Sequence, residues 1–443
     1  MDDKDLIINE LRLHIKKLET IIKQQANEIS ELKKQLIKYI NPNTPSSSNK
    51  HLKPNTQGLK SKGTKKGAPV GHKGTTRMQT IDRTEEIDTD ICPKCGSHNL
   101  KDKQVFKRII ENIPEPIVPE VVESKIHKKK CLDCKYVFIP KHNTTPLTGK
   151  FGLNIMILVI FLKFILRGVL RKTAFFLDSG IALKLTPASV NAIVKRVADA
   201  AENEYNDLKE RIRTAKIVYA DETSFSVLGK NQWVWVFRTA EDILLVIRPS
   251  RGNDIVKEIL GEEFSGTVVC DCWRAYNCLS NANLQRCWAH LLRKSGDLNT
   301  SATGRHFHEK LKKLFKQIKT FNSTNPTNEQ RLEKYSVMTK ELKKIISYYK
   351  QYEQIIPVAK YINNNLGNWF TCVKIEGVEP TNNFAERAIR ETVVVRKIIG
   401  AFRSETGKEN YEALASLIAS WQLKNLNLKV ELKNMLVKNL CFC

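Results

Sequence analysis

The sequence predicts a multidomain α/β protein. Three observations carry that prediction: an N-terminal heptad repeat, two C-x-x-C pairs 35 residues apart, and a stretch after Lys216 in which short apolar runs alternate with helical spacing. At about 100–200 residues per domain, a chain of 443 residues has room for two to four units. A hydrophobic content of 41% excludes wholesale disorder. The 73 Lys+Arg against 47 Asp+Glu leave a formal net charge of +26, which points to a polyanionic partner. Charge alone does not choose among DNA, RNA and an anionic membrane.

The first element is a coiled coil over 1–40. Ile8, Ile15, Ile22, Ile29 and Leu36 fall seven apart, and Leu11, Leu18, Gln25, Leu32 and Tyr39 form the second seam. Ile at one seam with Leu at the other favours a parallel two-stranded form, with Gln25 as the polar residue that can fix register. The same pattern also suits an amphipathic helix packed on its own chain. Residues 41–80 read as a basic, disordered linker. From Asn41 to Arg77 there are seven lysines, one arginine and no acidic residue, too little apolar surface for a core. Such a segment serves as a spacer or condenses on phosphates.

Residues 81–145 read as a zinc ribbon. Cys92-Pro-Lys-Cys95-Gly96 and Cys131-Leu-Asp-Cys134 supply four thiolates, the complement of a closed tetrahedral and therefore structural Zn²⁺ site. Val105 to Glu111 and Val121 to His127 are the candidate ribbon strands between the knuckles. Residues 146–214 read as helical. Leu153 to Leu166 is 14 residues long and contains Lys163, short of the roughly 20 apolar residues a membrane span needs, so a buried helix is expected. Thr186-Pro187 is a helix start, Thr as N-cap and Pro as first residue, and the helix that follows suits either a helix-turn-helix or an ordinary core helix.

A core over 215–410 begins with strands at Ile217 to Ala220, Trp233 to Phe237 and Ile243 to Ile247, with a turn at Gly229-Lys230-Asn231. A helix at Asn253 to Leu260, a strand at Thr267 to Cys270 and a strand or helix start at Gln285 to Leu292 continue it. A Lys-rich helical insertion occupies about 300–370, and 411–443 is a C-terminal helical segment. The N-terminus lacks the basic, apolar and small-residue regions of a signal peptide, so the expected location is cytoplasmic. There cysteines stay reduced, which favours metal binding over disulfides.

Asp221 and Asp271 each directly follow an expected strand. If those strands are neighbours, both carboxylates leave one sheet edge and can hold a divalent metal through oxygen. Glu386, near the start of a helix in Thr381-Asn382-Asn383-Phe384-Ala385-Glu386, can close the site as a third ligand. Taken singly, Asp at a strand end is also a common turn residue, and Glu386 with Arg390 is also an ordinary i,i+4 pair. His290 is either a contact for a phosphate or water, or a satisfied core histidine. Arg387, Arg390, Arg396, Lys397 and Arg403 form a basic run suited to a DNA backbone.

The motifs Tyr219-Ala-Asp-Glu-Thr223, Asp271-Cys-Trp-Arg-Ala-Tyr276, Arg286-Cys-Trp-Ala-His290, Asn382-Asn-Phe-Ala-Glu-Arg387 and Gly400-Ala-Phe-Arg403-Ser404-Glu405-Thr-Gly407 stand in the order of the insertion sequence 66 family of transposases. The resemblance extends to the coiled coil, the linker, Gly71-His72-Lys73-Gly74 and the cysteine pairs. Ser224-Phe225 and Ala401-Phe402 depart from the family's usual residues. The resemblance implies a ribonuclease-H-like catalytic core whose acidic triad is Asp221, Asp271 and Glu386. It also implies a DNA transposase that cleaves element ends and joins them to target DNA, as a homodimer or larger synaptic assembly with accessory proteins of the same element. Two Mg²⁺ (or Mn²⁺) ions are the expected cofactors, roughly 3.5–4 Å apart. A non-catalytic regulator or domesticated remnant, and a structure-selective nuclease, are the alternative functions.

Overall fold

The computed structural model describes residues 3–39, 84, 88–89, 91–99, 117–138, 143 and 145–441. The linker at 41–80 and the strand expected at Val105 to Glu111 lie outside the described residues. The chain forms two units, Met1–Val118 and Pro119–Cys443.

In the first unit, α1 (Asp3–Tyr39) is a continuous helix of 37 residues. Its seam side chains Leu11, Ile15, Leu18, Ile22, Ile29 and Leu32 are all exposed. The Cys92 knuckle is a tight turn in which Gly96 N donates to Cys92 O at 2.8 Å and Cys92 N to Ser97 O at 2.9 Å. Gly96 has φ +73°, a conformation that costs a Cβ-bearing residue.

The second unit opens with a small antiparallel hairpin, β1 (Lys129–Lys130) and β2 (Val137–Phe138), around Cys131 to Cys134. Val121 to His127 is not a strand: among the described residues no partner strand pairs with it, and Val121 and Val122 are exposed. Four helices follow, α2 (Leu153–Ile160), α3 (Leu170–Ile181), α4 (Pro187–Ala200) and α5 (Glu202–Arg213). A π-helical turn, Phe161–Ile165, extends α2. The apolar stretch from Leu153 is accordingly a short, largely buried helix, and no described helix is long and apolar enough to cross a membrane. Thr186 Oγ1 accepts from Ser189 N at 3.1 Å with Pro187 as first helical residue, as the sequence predicts. The apolar face of α4 (Val190, Ile193, Val194, Val197) is buried, the core-helix pattern, and α3 packs on it through a five-residue turn.

The mixed sheet comprises β3 (Ile217–Val227), β4 (Lys230–Arg238), β5 (Ile243–Arg248), β6 (Thr267–Cys270) and β7 (Asn283–Arg286), with α6 (Asn253–Leu260) between β5 and β6. The strand order is β5-β4-β3-β6-β7, antiparallel across the first three and parallel from β3 through β7. Helices α7 (Trp288–Gly296), α8 (Ala302–Asn322), α9 (Asn328–Tyr349), α10 (Ile356–Asn363), α11 (Thr371–Lys374) and α12 (Asn383–Ile399) come next. The short β8 (Ala401–Phe402) pairs with β3, and α13 (Glu405–Leu423) and α14 (Leu428–Leu436) end the fold.

Strand periodicity sends alternate side chains to opposite faces. Val218, Ala220, Trp235, Phe237, Leu244 and Val246 join one core with α4, α5, α6, α13 and α14. Tyr219, Val234, Val236, Leu245 and Ile247 join another with α7 to α10 and α12. The sheet is the middle of three layers.

Two more sequence expectations are corrected. The first strand runs past Ala220 to Val227, and the turn is Leu228-Gly229, with φ +51° and +76°, rather than Gly229-Lys230-Asn231. Both turn residues at positive φ make a type I′ hairpin, whose twist matches that of the strands, so Glu222 to Ser226 pair residue by residue with β4 despite their polarity. At the other edge α13 covers β5. Ser420, Ser416 and Glu412 accept from the N–H groups of Ile243, Leu245 and Ile247 at 2.9, 2.8 and 2.9 Å. Four helical residues rise about 6 Å and two strand residues about 6.7 Å, so the two ladders stay in step. An edge that would otherwise template foreign strands is closed.

Candidate active site

Strands β3 and β6 run parallel with Ile217 opposite Thr267 and Tyr219 opposite Val269. Asp221 and Asp271 therefore stand at the same level, where β6 ends. Asp271 follows its strand directly, as predicted, and its Oδ1 accepts from Trp273 N at 2.8 Å, which turns the chain away. Asp221 differs from the expectation. It lies inside β3, opposite Val236, where the pairing with β6 stops and the hairpin continues.

Glu386 comes from the first turn of α12. The residue that docks this helix is Asn382, fully buried, whose Nδ2 donates to Ala220 O at 2.7 Å and whose N donates to Cys287 Sγ at 3.2 Å. One side chain thus ties the start of α12 to the residue before Asp221. His290 lies in the first turn of α7, and its Nδ1 is 3.7 Å from Glu386 Oε1.

Burial pushes the Asp221 carboxyl up to about 7, and the charges of Glu222, Asp271 and Glu386 push the same way. Glu222, on the opposite pleat of β3, is answered by its own partners. Arg251 donates to its Oε1 from Nε and Nη2 at 3.0 and 2.7 Å, and Tyr276 Oη donates to Oε2 at 2.7 Å. The Arg251 guanidinium is in turn stacked between Trp233 and Trp273, 4.6 and 4.0 Å from their centroids. Among the described residues, no Lys or Arg makes an ion pair with Asp221, Asp271 or Glu386. Among the described residues, Glu386 Oε1 and His290 Nδ1 are both buried with no hydrogen-bond partner. Asp271 and Glu386 lie near enough for their charges to act on Asp221, and carboxylates without a countercharge, one with an orphaned oxygen, have the chemistry of ligands to a hard divalent cation, although among the described residues the three do not lie within 4.8 Å of one another.

Sequence reasoning missed two residues that position this cluster. Arg286 is fully buried, donates to Asp271 O at 2.6 Å and to Asn365 Oδ1 at 3.0 Å, and also bonds Asn277. Asn382 is the other. Both belong to motifs visible in the sequence, but their partners are remote along the chain.

The five expected DNA contacts divide. Arg387, Arg390, Lys397 and Arg403 are exposed, whereas Arg396 is half-buried and donates to Thr223 Oγ1 at 3.2 Å and to Ser224 O, tying α12 to β3. Arg387 and Arg403 border a cavity of about 870 Å³, which Lys163, Arg167, Arg171 and Arg238 also line. Those four cations were not picked out as a group from the sequence, because they come from the π-helical turn, the loop after it, α3 and β4.

The cysteine pairs form two knuckles, one in each unit. Backbone N–H groups of Lys94 and Cys95 aim at the Cys92 sulfur and hold its thiol below the usual value; those of Cys134 and Asp133 do the same for Cys131. Lys135, directly after Cys134, has φ +62°, the conformation Gly96 supplies after Cys95.

The sequence model of the family described as Transposase IS66 family matches residues 149–410, more than half of the chain, and the chain belongs to that family. The match contains Asp221, Asp271 and Glu386. The chain is also 27% identical over 257 residues to y4qI, an uncharacterized protein of Sinorhizobium fredii (strain NBRC 101917 / NGR234), covering 49% of this chain. It spans about half the length of that curated relative, 47%.

Proposed function

We propose that the chain is a DDE-type DNA transposase that binds insertion-element ends and catalyses divalent-metal-dependent phosphodiester cleavage and strand transfer. The observation that carries this reading is the set of three carboxylates from β3, β6 and α12, with no Lys or Arg paired to them among the described residues. The strand order, an antiparallel trio followed by two parallel strands, supports a ribonuclease-H-like core.

Asp221, Asp271 and Glu386 would hold two Mg²⁺ or Mn²⁺ ions through oxygen. Bound there, the ions would activate a water or 3′-hydroxyl nucleophile and neutralise charge on the leaving oxygen. Asp221 must give up its proton to serve as a ligand. His290, beside Glu386, would contact the scissile phosphate or orient water, and Arg387, Arg390, Lys397 and Arg403 would grip the DNA backbone. Arg396 acts in this reading by holding α12 on β3.

The cysteine pairs would supply thiolates to structural Zn²⁺, and the exposed seam of α1 would pair with a second copy in a homodimer or larger synaptic assembly. Accessory proteins of the same element and a cytoplasmic, nucleoid-associated location complete the proposal.

The test is cleavage of a labelled duplex carrying the element's terminus. Cleavage should stop in EDTA and return with excess Mg²⁺, and Asp221→Ala should bind the ends without cutting them. Cutting that persists in EDTA would exclude the carboxylate-metal mechanism. An Asp221→Ala protein that cuts normally would exclude this site.

A further inference from the structure

One group of side chains at the site is ill suited to Mg²⁺. Cys287, His290 and Glu386 bring a sulfur, an imidazole nitrogen and a carboxylate oxygen within 4.8 Å of one another. Cys287 is the N-cap of α7 and His290 is in its first turn, while Glu386 faces them from the first turn of α12. A hard ion such as Mg²⁺ takes oxygen ligands, whereas sulfur with imidazole and carboxylate suits Zn²⁺.

We propose that these three residues form a separate Zn²⁺-binding site that shares Glu386 with the catalytic carboxylates, so that zinc and catalytic metal exclude one another. The proposal rests on the transposase reading for its consequence, but not for the site itself.

Three features support the assignment. First, Glu386 Oε1 and His290 Nδ1 are buried and unpartnered, each a desolvated acceptor or donor with nothing to satisfy it. Second, they are 3.7 Å apart, too far for a hydrogen bond. Two ligands of one tetrahedral zinc, each about 2.0–2.2 Å from the ion, lie about 3.3–3.5 Å apart, so a small closure completes the site. Third, the Cys287 sulfur already accepts from Asn382 N at 3.2 Å, the kind of outer bond that orients a metal's thiolate.

On binding, the sulfur–zinc bond forms as the Cys287 thiol proton passes to solvent, with no change of oxidation state. Three protein ligands leave a fourth position for water. Glu386 held this way is withdrawn from Asp221 and Asp271, and zinc acts as an inhibitor of Mg²⁺-supported chemistry.

The experiment counts metal and measures inhibition on the full chain. Co²⁺ is titrated into wild type, Cys287→Ser and Cys92→Ser, and the cobalt–thiolate absorption and bound equivalents are read. By the cobalt–thiolate absorption, wild type should hold one thiolate-bound equivalent more than Cys287→Ser, and Cys92→Ser should retain the equivalent that depends on Cys287. His290→Gln, checked for folding by circular dichroism, should lose the same equivalent and serves if Cys287→Ser misfolds. In cleavage assays Zn²⁺ should inhibit wild type, and Cys287→Ser should need at least about tenfold more. Equal thiolate-bound counts in wild type and Cys287→Ser, or in wild type and His290→Gln where Cys287→Ser misfolds, would overturn the site, and undiminished inhibition of Cys287→Ser would overturn its sharing of Glu386. The count is read without activity, so a Cys287-dependent equivalent in a protein that never cuts DNA would keep the zinc site and reject the transposase reading.

Discussion

Asp221 and Asp242 are both aspartates of the same sheet region, and they meet opposite fates. Asp242, buried beside β5, accepts from Arg211 Nε at 2.9 Å and Lys424 Nζ at 2.8 Å. Burial pulls its pKa up, but the two cations more than offset this and hold it below the ordinary value. Asp221 has no such partner, and burial together with three neighbouring carboxylates takes it to about 7. Where a buried charge serves the fold, the fold answers it. Where it is left unanswered, the countercharge has to come from elsewhere, and a metal ion is the natural source.

The largest effect expected from breaking this contrast is on chemistry. Asp221→Asn should lower cleavage by more than about 100-fold, measured as initial rates at saturating Mg²⁺, while Asp242→Asn should leave the rate of the folded protein within a few-fold. Next comes stability, with opposite signs. The folded-state pKa of Asp221 lies above the ordinary aspartate value of 3.8, so its contribution is complete below that value and lost as pH rises through about 7. At pH 8 without metal, Asp221→Asn should therefore raise the unfolding free energy, by up to roughly 4 kcal/mol. Asp242 is depressed, so its contribution is present at neutral pH and lost as pH falls through its folded value, below 3.8. Asp242→Asn should cost roughly 1–3 kcal/mol at pH 7. Denaturant melts at pH 8 and 7 check both signs, and equal signs would break the comparison.

A smaller effect concerns Mg²⁺ itself. Below about pH 7 binding must displace the Asp221 proton, so apparent affinity should fall about tenfold per pH unit, and calorimetry in buffers of different ionisation enthalpy should show proton release. An affinity independent of pH between about 5 and about 6, roughly one to two units below the Asp221 value of about 7, would remove Asp221 from the ligand set. The smallest expected effect is at the second knuckle. Lys135→Gly relieves a positive φ of 62° and should raise the chelator concentration needed to remove zinc, by the equivalent of a few tenths to about 1 kcal/mol.

Legibility in the sequence followed the range of the interactions. The helix at Asn253–Leu260 and the strand at Thr267–Cys270 were readable because apolar periodicity and turn residues are local signals. The extent of β3 was not: Glu222, Thr223, Ser224 and Ser226 look like a turn until the Leu228-Gly229 hairpin pairs them with β4. The convergence of Asp221 with Asp271 was foreseeable only if their strands were neighbours, a condition the parallel register meets. Asn382 and Arg286 were invisible as anchors, since a buried polar residue reveals its role only through its partner. Asn382 bonds Ala220, 162 residues away, and Arg286 bonds Asn365, 79 away. The ladder from α13 to β5 was hidden for the same reason, 165 to 177 residues separating its members.

The central claim is that the unanswered carboxylates join DNA strands. It is tested most directly by incubating purified protein with Mg²⁺ and a labelled duplex ending in the element's own terminus, beside Glu386→Gln. The account predicts a joined product from the wild type that disappears in the variant, with binding of the duplex retained in both. Joined product of equal yield from Glu386→Gln would contradict it.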